Sequence, residues 1–166
     1  MTLTMTGHTF RYEMENICRL FLPQEKVAVF EGEAPAAPGV LADTVRERGE
    51  AGTRIVCRLR LEGFDEKLSV RVDNGRADYE GECELQMATL LYRLFTELFG
   101  FTQAWGIITG VRPVKLLRRL TLECGEEEAR RQFRERFLVS EPKTALCART
   151  LREEDAILAL SRPDSF

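Results

Sequence analysis

Apolar and polar positions change period several times along the 166 residues, and each period predicts an element. In "TLTMT", Leu3 and Met5 alternate with threonines, the pattern of a short, half-buried strand. In "HTFRYEMENICRLFLP", Phe10, Met14, Ile17 and Phe21 recur at helical spacing with Cys18 on the same side, and Pro23 ends the helix. "KVAVF" reads as a second strand. A strand, a helix and a strand of these lengths suggest a crossover unit, right-handed if the strands are parallel. The clearest signal is "TRIVCRLRLEGFDEKLSVRVD". Ile55, Cys57, Leu59 and Leu61 alternate with Val56, Arg58, Arg60 and Glu62. After a turn at "GFDE", Leu68, Val70 and Val72 alternate with Ser69, Arg71 and Asp73. This predicts a β-hairpin with one apolar and one charged face, ended by "DNG" at 73–75.

Between these strands, residues 32–52 are punctuated by Gly and Pro and then charged. They read as a long connection, with room for a short helix over 40–48 or for no order at all. "CELQMATLLYRLFTELFG" is apolar nearly all round, the mark of a central buried helix with Gly100 past its end. The order β-α-β-β-β-α predicts an α+β fold over 1–100, a small, mostly antiparallel sheet covered by helices. Residues 101–166 predict a helical extension. Pro113 suits a first helical position, "EEEARRQFRERF" begins with three glutamates and spaces Ala129, Phe133 and Phe137 four apart, and Ser140 is a good N-cap for a last helix.

Composition narrows the class. A hydrophobic fraction of 44% and a charged fraction of 31% are usual for a globular chain that builds its own core. No apolar run approaches a membrane span, and the N-terminus lacks the pattern of a signal peptide, which together predict a cytoplasmic protein without membrane contact. The five cysteines, at 18, 57, 83, 124 and 147, form no C-x-x-C pair, so reduced, mostly buried thiols are expected rather than a metal site. Charge is uneven: 12 basic against 17 acidic residues in 1–104, and 12 against 10 in 105–166. That asymmetry is too mild to argue for nucleic acid, and the arginines of the hairpin read as a solvated face because no exposed aromatics lie among them.

Positive charge concentrates after "WGIITGVRP" at 105–113. Pro113 disfavours helical geometry at Arg112, so the chain enters the next helix abruptly and leaves backbone N–H groups at its N-terminus. Thr109 offers a hydroxyl, Gly110 a close backbone approach, Arg112 a bidentate fork, and Lys115, Arg118 and Arg119 further charge. These six are the candidate anion or substrate-binding residues; no catalytic or metal-ligating residue is expected. The competing reading is structural: turns at the glycines, Trp105 on the core, and Arg112 paired with an acid.

Three blocks, "GHTFRYEMENICRLFLP", "WGIITGVRPVKLLRRL" and "FLVSEPKTALCART", resemble the N-terminal region of the oxygen-independent coproporphyrinogen III oxidase-like proteins of the HemZ branch, the coproporphyrinogen dehydrogenases. The resemblance implies a following radical S-adenosylmethionine domain, similar to a partial TIM barrel. In the family, a C-x-x-x-C-x-x-C motif there holds a 4Fe-4S cluster. The cluster cleaves S-adenosylmethionine, and the radical starts oxidative decarboxylation of two propionates in haem biosynthesis. This chain contains no such cysteine triplet. The expectation is therefore an N-terminal accessory domain without cofactor of its own, inactive alone, with S-adenosylmethionine and the cluster in the parent's missing domain.

Three functions follow. The chain docks on or shields the barrel of the same protein, its basic cluster taking propionates of a tetrapyrrole substrate. Or it is an RNA- or anion-binding module, which the acidic pI of about 5.4 disfavours for nucleic acid. Or it is a ligand-free platform for a homodimer, because Leu116, Leu117, Leu120 and Leu122 cannot all face one core.

Overall fold

A computed structural model describes residues 1–110 and 112–160 of the chain. Val111, inside the glycine-rich motif, and the terminal "SRPDSF" lie outside the described residues. The chain divides into two compact units, Met1–Thr102 and Gln103–Phe166.

The first unit is α+β. Strand β1 (Thr2–Thr6) leads through helix α1 (Arg11–Phe21) to β2 (Ala28–Glu31), and three strands follow: β3 (Leu41–Gly49), β4 (Gly52–Leu61) and β5 (Phe64–Val72). The sheet order is β2-β1-β3-β4-β5. β1 pairs parallel with β2, which makes the strand-helix-strand segment a crossover unit, and also with β3, a strand the sequence reading did not expect; the longer ladders β3–β4 and β4–β5 are antiparallel. Helix α2 (Tyr79–Phe99) lies across β4 and β5, and α1 packs beside it, so that no helix of this unit covers the opposite face of the sheet. Gly100 ends α2 in the left-handed conformation, its N–H on the Thr96 carbonyl at 2.8 Å. Phe21 stacks on Phe95 at 5.1 Å and meets Phe101 at 5.4 Å, so the aromatic core of this unit reaches past the end of α2.

The structure corrects the reading of residues 32–52. The segment expected as a connection or a short helix over 40–48 contains β3, the middle strand of the sheet, and the order becomes β-α-β-β-β-β-α. Its core-facing positions are Ala42 and Thr44, both fully buried, so no large hydrophobe marks the alternation. Thr44 resolves its own burial by donating its hydroxyl to the Thr4 carbonyl at 2.7 Å. The hairpin is as expected in faces but tighter in its turn. Leu61 pairs with Phe64, leaving Glu62 and Gly63 (φ +78°) as a two-residue loop, and residues 64–66 belong to β5.

The second unit holds α3 (Pro113–Cys124), α4 (Glu126–Glu135) and α5 (Glu141–Leu160). Its core is Leu116, Leu117 and Leu120 from α3, Ala129 and Phe133 from α4, Val139, and Cys147, Ala148 and Leu151 from α5. Phe137 lies beyond the end of α4, on the turn to α5, and packs against this cluster partly buried. Leu122 points away from it and is 83% exposed.

Candidate functional site

Of the glycine-rich motif, the first half is a lock. Residues 104–107 form a turn, and Gly106 sits at φ +57° against the turn between α4 and α5. A Cβ there would lie 2.1 Å from the Phe137 carbonyl oxygen and 2.4 Å from the Leu138 carbonyl carbon. Two backbone hydrogen bonds close the junction: Ile107 N–H to Phe137 O and Ser140 N–H to Ala104 O, each 3.0 Å. Leu138 takes φ +58°, which a leucine tolerates only where its surroundings hold it. The half-buried Trp105 ring carries the Lys143 ammonium at 5.1 Å from its centroid. The motif around Trp105 and the "FLVSEPK" segment, distant in sequence, are thus one structural feature.

The second half leads to the candidate residues. Thr109 is half-buried, and Gly110 is exposed at φ +68°. Arg112 is extended (φ −72°, ψ 112°), as Pro113 requires of its predecessor, and its carbonyl accepts the first hydrogen bond of α3 from Leu116. No acid lies in the first turn of α3. Arg112 and Lys115 are exposed and have no ion pair among the described residues.

The rest of the cluster is committed elsewhere. Arg118 pairs with Glu154 at 3.0 Å and with Asp155, both on α5, and its hydrogen bonds to Asp155 and Glu154 raise its pKa. Arg119 reaches Glu123 one turn on at 3.7 Å. The structure therefore brings Arg112 and Lys115 to one end of α3 and turns Arg118 into an α3–α5 clasp. Its partners lie more than thirty residues away in sequence, too far for any local pattern to reveal.

Elsewhere, Cys18, Cys57, Cys83 and Cys147 are buried free thiols and Cys124 is exposed. Burial pushes the Cys18 thiol up to about 12, far from a reactive thiolate. Among the described residues no helix is long and apolar enough to cross a membrane. A feature that sequence reasoning missed lies on the uncovered face of the sheet. There Arg58, Arg60 and Lys67 line a groove of about 690 Å³ together with Thr4, Thr6 and Asp43. The hairpin's arginines were visible as a charged face, but the groove needs β1 and the unexpected β3 beside them.

No family model, no curated protein and no solved structure matches the chain.

Proposed function

We propose that the chain is a cytoplasmic N-terminal accessory domain of a radical S-adenosylmethionine enzyme of the coproporphyrinogen III oxidase type. In this reading its helical unit docks on the catalytic barrel of the same protein and helps to shield the radical site. Identity is supported by the resemblance of the three blocks, two of which join at Gly106 in a single packed junction. Five free thiols suit a reducing compartment.

The observation that carries docking is apolar surface on the helical unit. Leu122 is 83% exposed, Leu158 60% and Leu160 87%, and every residue from 152 to 160 is exposed. A helix whose last turns are wet on all sides and still carry leucines is built to be covered. Covering each such side chain returns about 1.5–3 kcal/mol. Arg112 and Lys115, without acids of their own, are the residues of this unit available to a propionate of the parent's substrate.

Two measurements test this. The reading frame beyond Phe166 should contain C-x-x-x-C-x-x-C; its absence removes the enzyme class. In the complete protein, amide exchange over residues 152–160 should be slower than in the isolated chain. Equal exchange in both removes docking through α5 and leaves the enzyme class standing.

A further inference from the structure

The uncovered face of the sheet carries charges arranged in rows. The strand register places Asp43, Arg58 and Lys67 side by side across β3, β4 and β5, and Glu47, Arg54 and Arg71 in a second row. Val45, Val56 and Ser69 lie between the two rows. Arg58 thus stands directly opposite Lys67, and Arg54 directly opposite Arg71. Like charges in this position repel.

The acids on this face meet the charges of Arg58 and Arg60 but leave those of Lys67 and Arg71. Asp65 is taken by Arg58 through two hydrogen bonds of 2.6 and 2.5 Å. Asp43 is taken by Arg60 at 2.7 Å and by the Thr4 hydroxyl at 2.7 Å. Lys67 and Arg71 have no ion pair among the described residues. The Nε of Arg60 is buried with no acceptor. The carboxylates therefore act as props. They hold two guanidinium forks in place over a concave surface and leave donors on them unused, which lowers the ordering cost of a ligand.

The groove formed there holds about 690 Å³, within the size range of small-molecule sites. Thr6 adds a hydroxyl to its lining, and Gly32 and Ala34 of the β2–β3 connection bound the other side. Glu33, on that connection, is exposed and lacks a basic partner among the described residues, which favours the β4–β5 side for an anion. No aromatic residue lines the groove, so it offers no platform for stacking bases. Guanidinium forks match the paired oxygens of both phosphate and carboxylate.

We propose that this groove binds a small organic polyanion, a phosphate ester or a polycarboxylate, through Arg58, Arg60 and Lys67. The site lies wholly in the first unit and does not depend on the docking reading. Calorimetric titration of the whole chain at low ionic strength, with pyrophosphate in one arm and citrate in another, tests it. A dissociation constant of about 1 mM or tighter is expected in at least one arm, and the arm that binds names the ligand class. Lys67→Glu and Arg60→Gln should each weaken that binding tenfold or more. Arg149→Gln, in the helical unit and outside both candidate sites, should leave it unchanged. Lys67→Ala, an exposed truncation, repeats the measurement should Lys67→Glu disturb the far-UV spectrum.

Three results overturn the proposal. One is no binding in either arm, which leaves Lys67 and Arg71 as charges that keep the edge strand β5 from pairing with other chains. Another is equal weakening by Arg149→Gln. The third is an eight-nucleotide oligouridylate that binds tighter than both small anions with a steep salt dependence, which makes the face a nucleic-acid surface.

Discussion

His8 is the chain's single histidine, and both of its ring nitrogens are used. The Phe10 N–H donates to Nδ1 at 3.3 Å, so Nδ1 accepts and the proton sits on Nε2, which donates to the Thr44 hydroxyl at 3.0 Å. A second proton on the ring would break the bond to Phe10 at the entry to α1. Burial lowers the pKa from its ordinary value of 6.5, outweighing the upward pull of the hydrogen bond with the Thr44 backbone, and the nearby Arg46 adds a smaller lowering. Because the folded pKa lies below the unfolded one, the unfolded chain binds the proton more readily. Stability from this residue is complete above about pH 6.5 and is lost as pH falls through the folded value. Urea unfolding of the wild type should lose stability over that window, and His8→Gln should flatten the loss. An identical slope in the variant would assign it to the carboxylates instead.

At the scale of elements, what was legible depended on where tertiary packing agreed with local pattern. The β4–β5 hairpin was read because Ile55, Cys57, Leu59 and Val72 lie buried on one face while the positions between them, Val56 apart, are polar or charged. β3 was not, although it is central. Its neighbours β1 and β4 supply its hydrogen bonds on both sides, and its core-facing side chains are small. Its charged C-terminal half, Arg46 to Arg48, resembles a helix surface; in the sheet, Arg46 instead reaches Glu80 of α2 at 2.6 Å and the Gly7 carbonyl at 3.0 Å.

Small residues on β3 are therefore a packing requirement. Ala42→Val raises intrinsic strand preference yet adds bulk to a fully buried position. It should destabilise the sheet unit by about 1–3 kcal/mol, read as a lower urea midpoint. A raised midpoint would show that space exists beneath Ala42. The candidate site was half legible for the same kind of reason. The N-terminus of α3 follows from Pro113 and its neighbours, whereas the fate of Arg118 depends on α5.

At the scale of the whole molecule, the described residues form two cores. Leu3, Met14, Ile17, Leu59, Leu91 and Phe95 belong to the sheet unit, and the cluster around Leu117 and Phe133 to the helical one. Chains with more than one core need not unfold in a single step. Trp105 is the only tryptophan and packs against the second core, so its fluorescence reports on that core. Gly106→Ala should remove the lock next to it. The new methyl would strike the Phe137 and Leu138 backbone, and the residue would be held at positive φ, together costing about 3 kcal/mol or more. Gly110→Ala, which changes an exposed position at positive φ, should cost about 1–2 kcal/mol. In urea, the tryptophan transition of Gly106→Ala should move to lower concentration while the far-UV signal of the sheet unit unfolds where it does in the wild type. One coincident transition, shifted as a whole, would instead make the two cores a single cooperative structure and Gly106 a determinant of both.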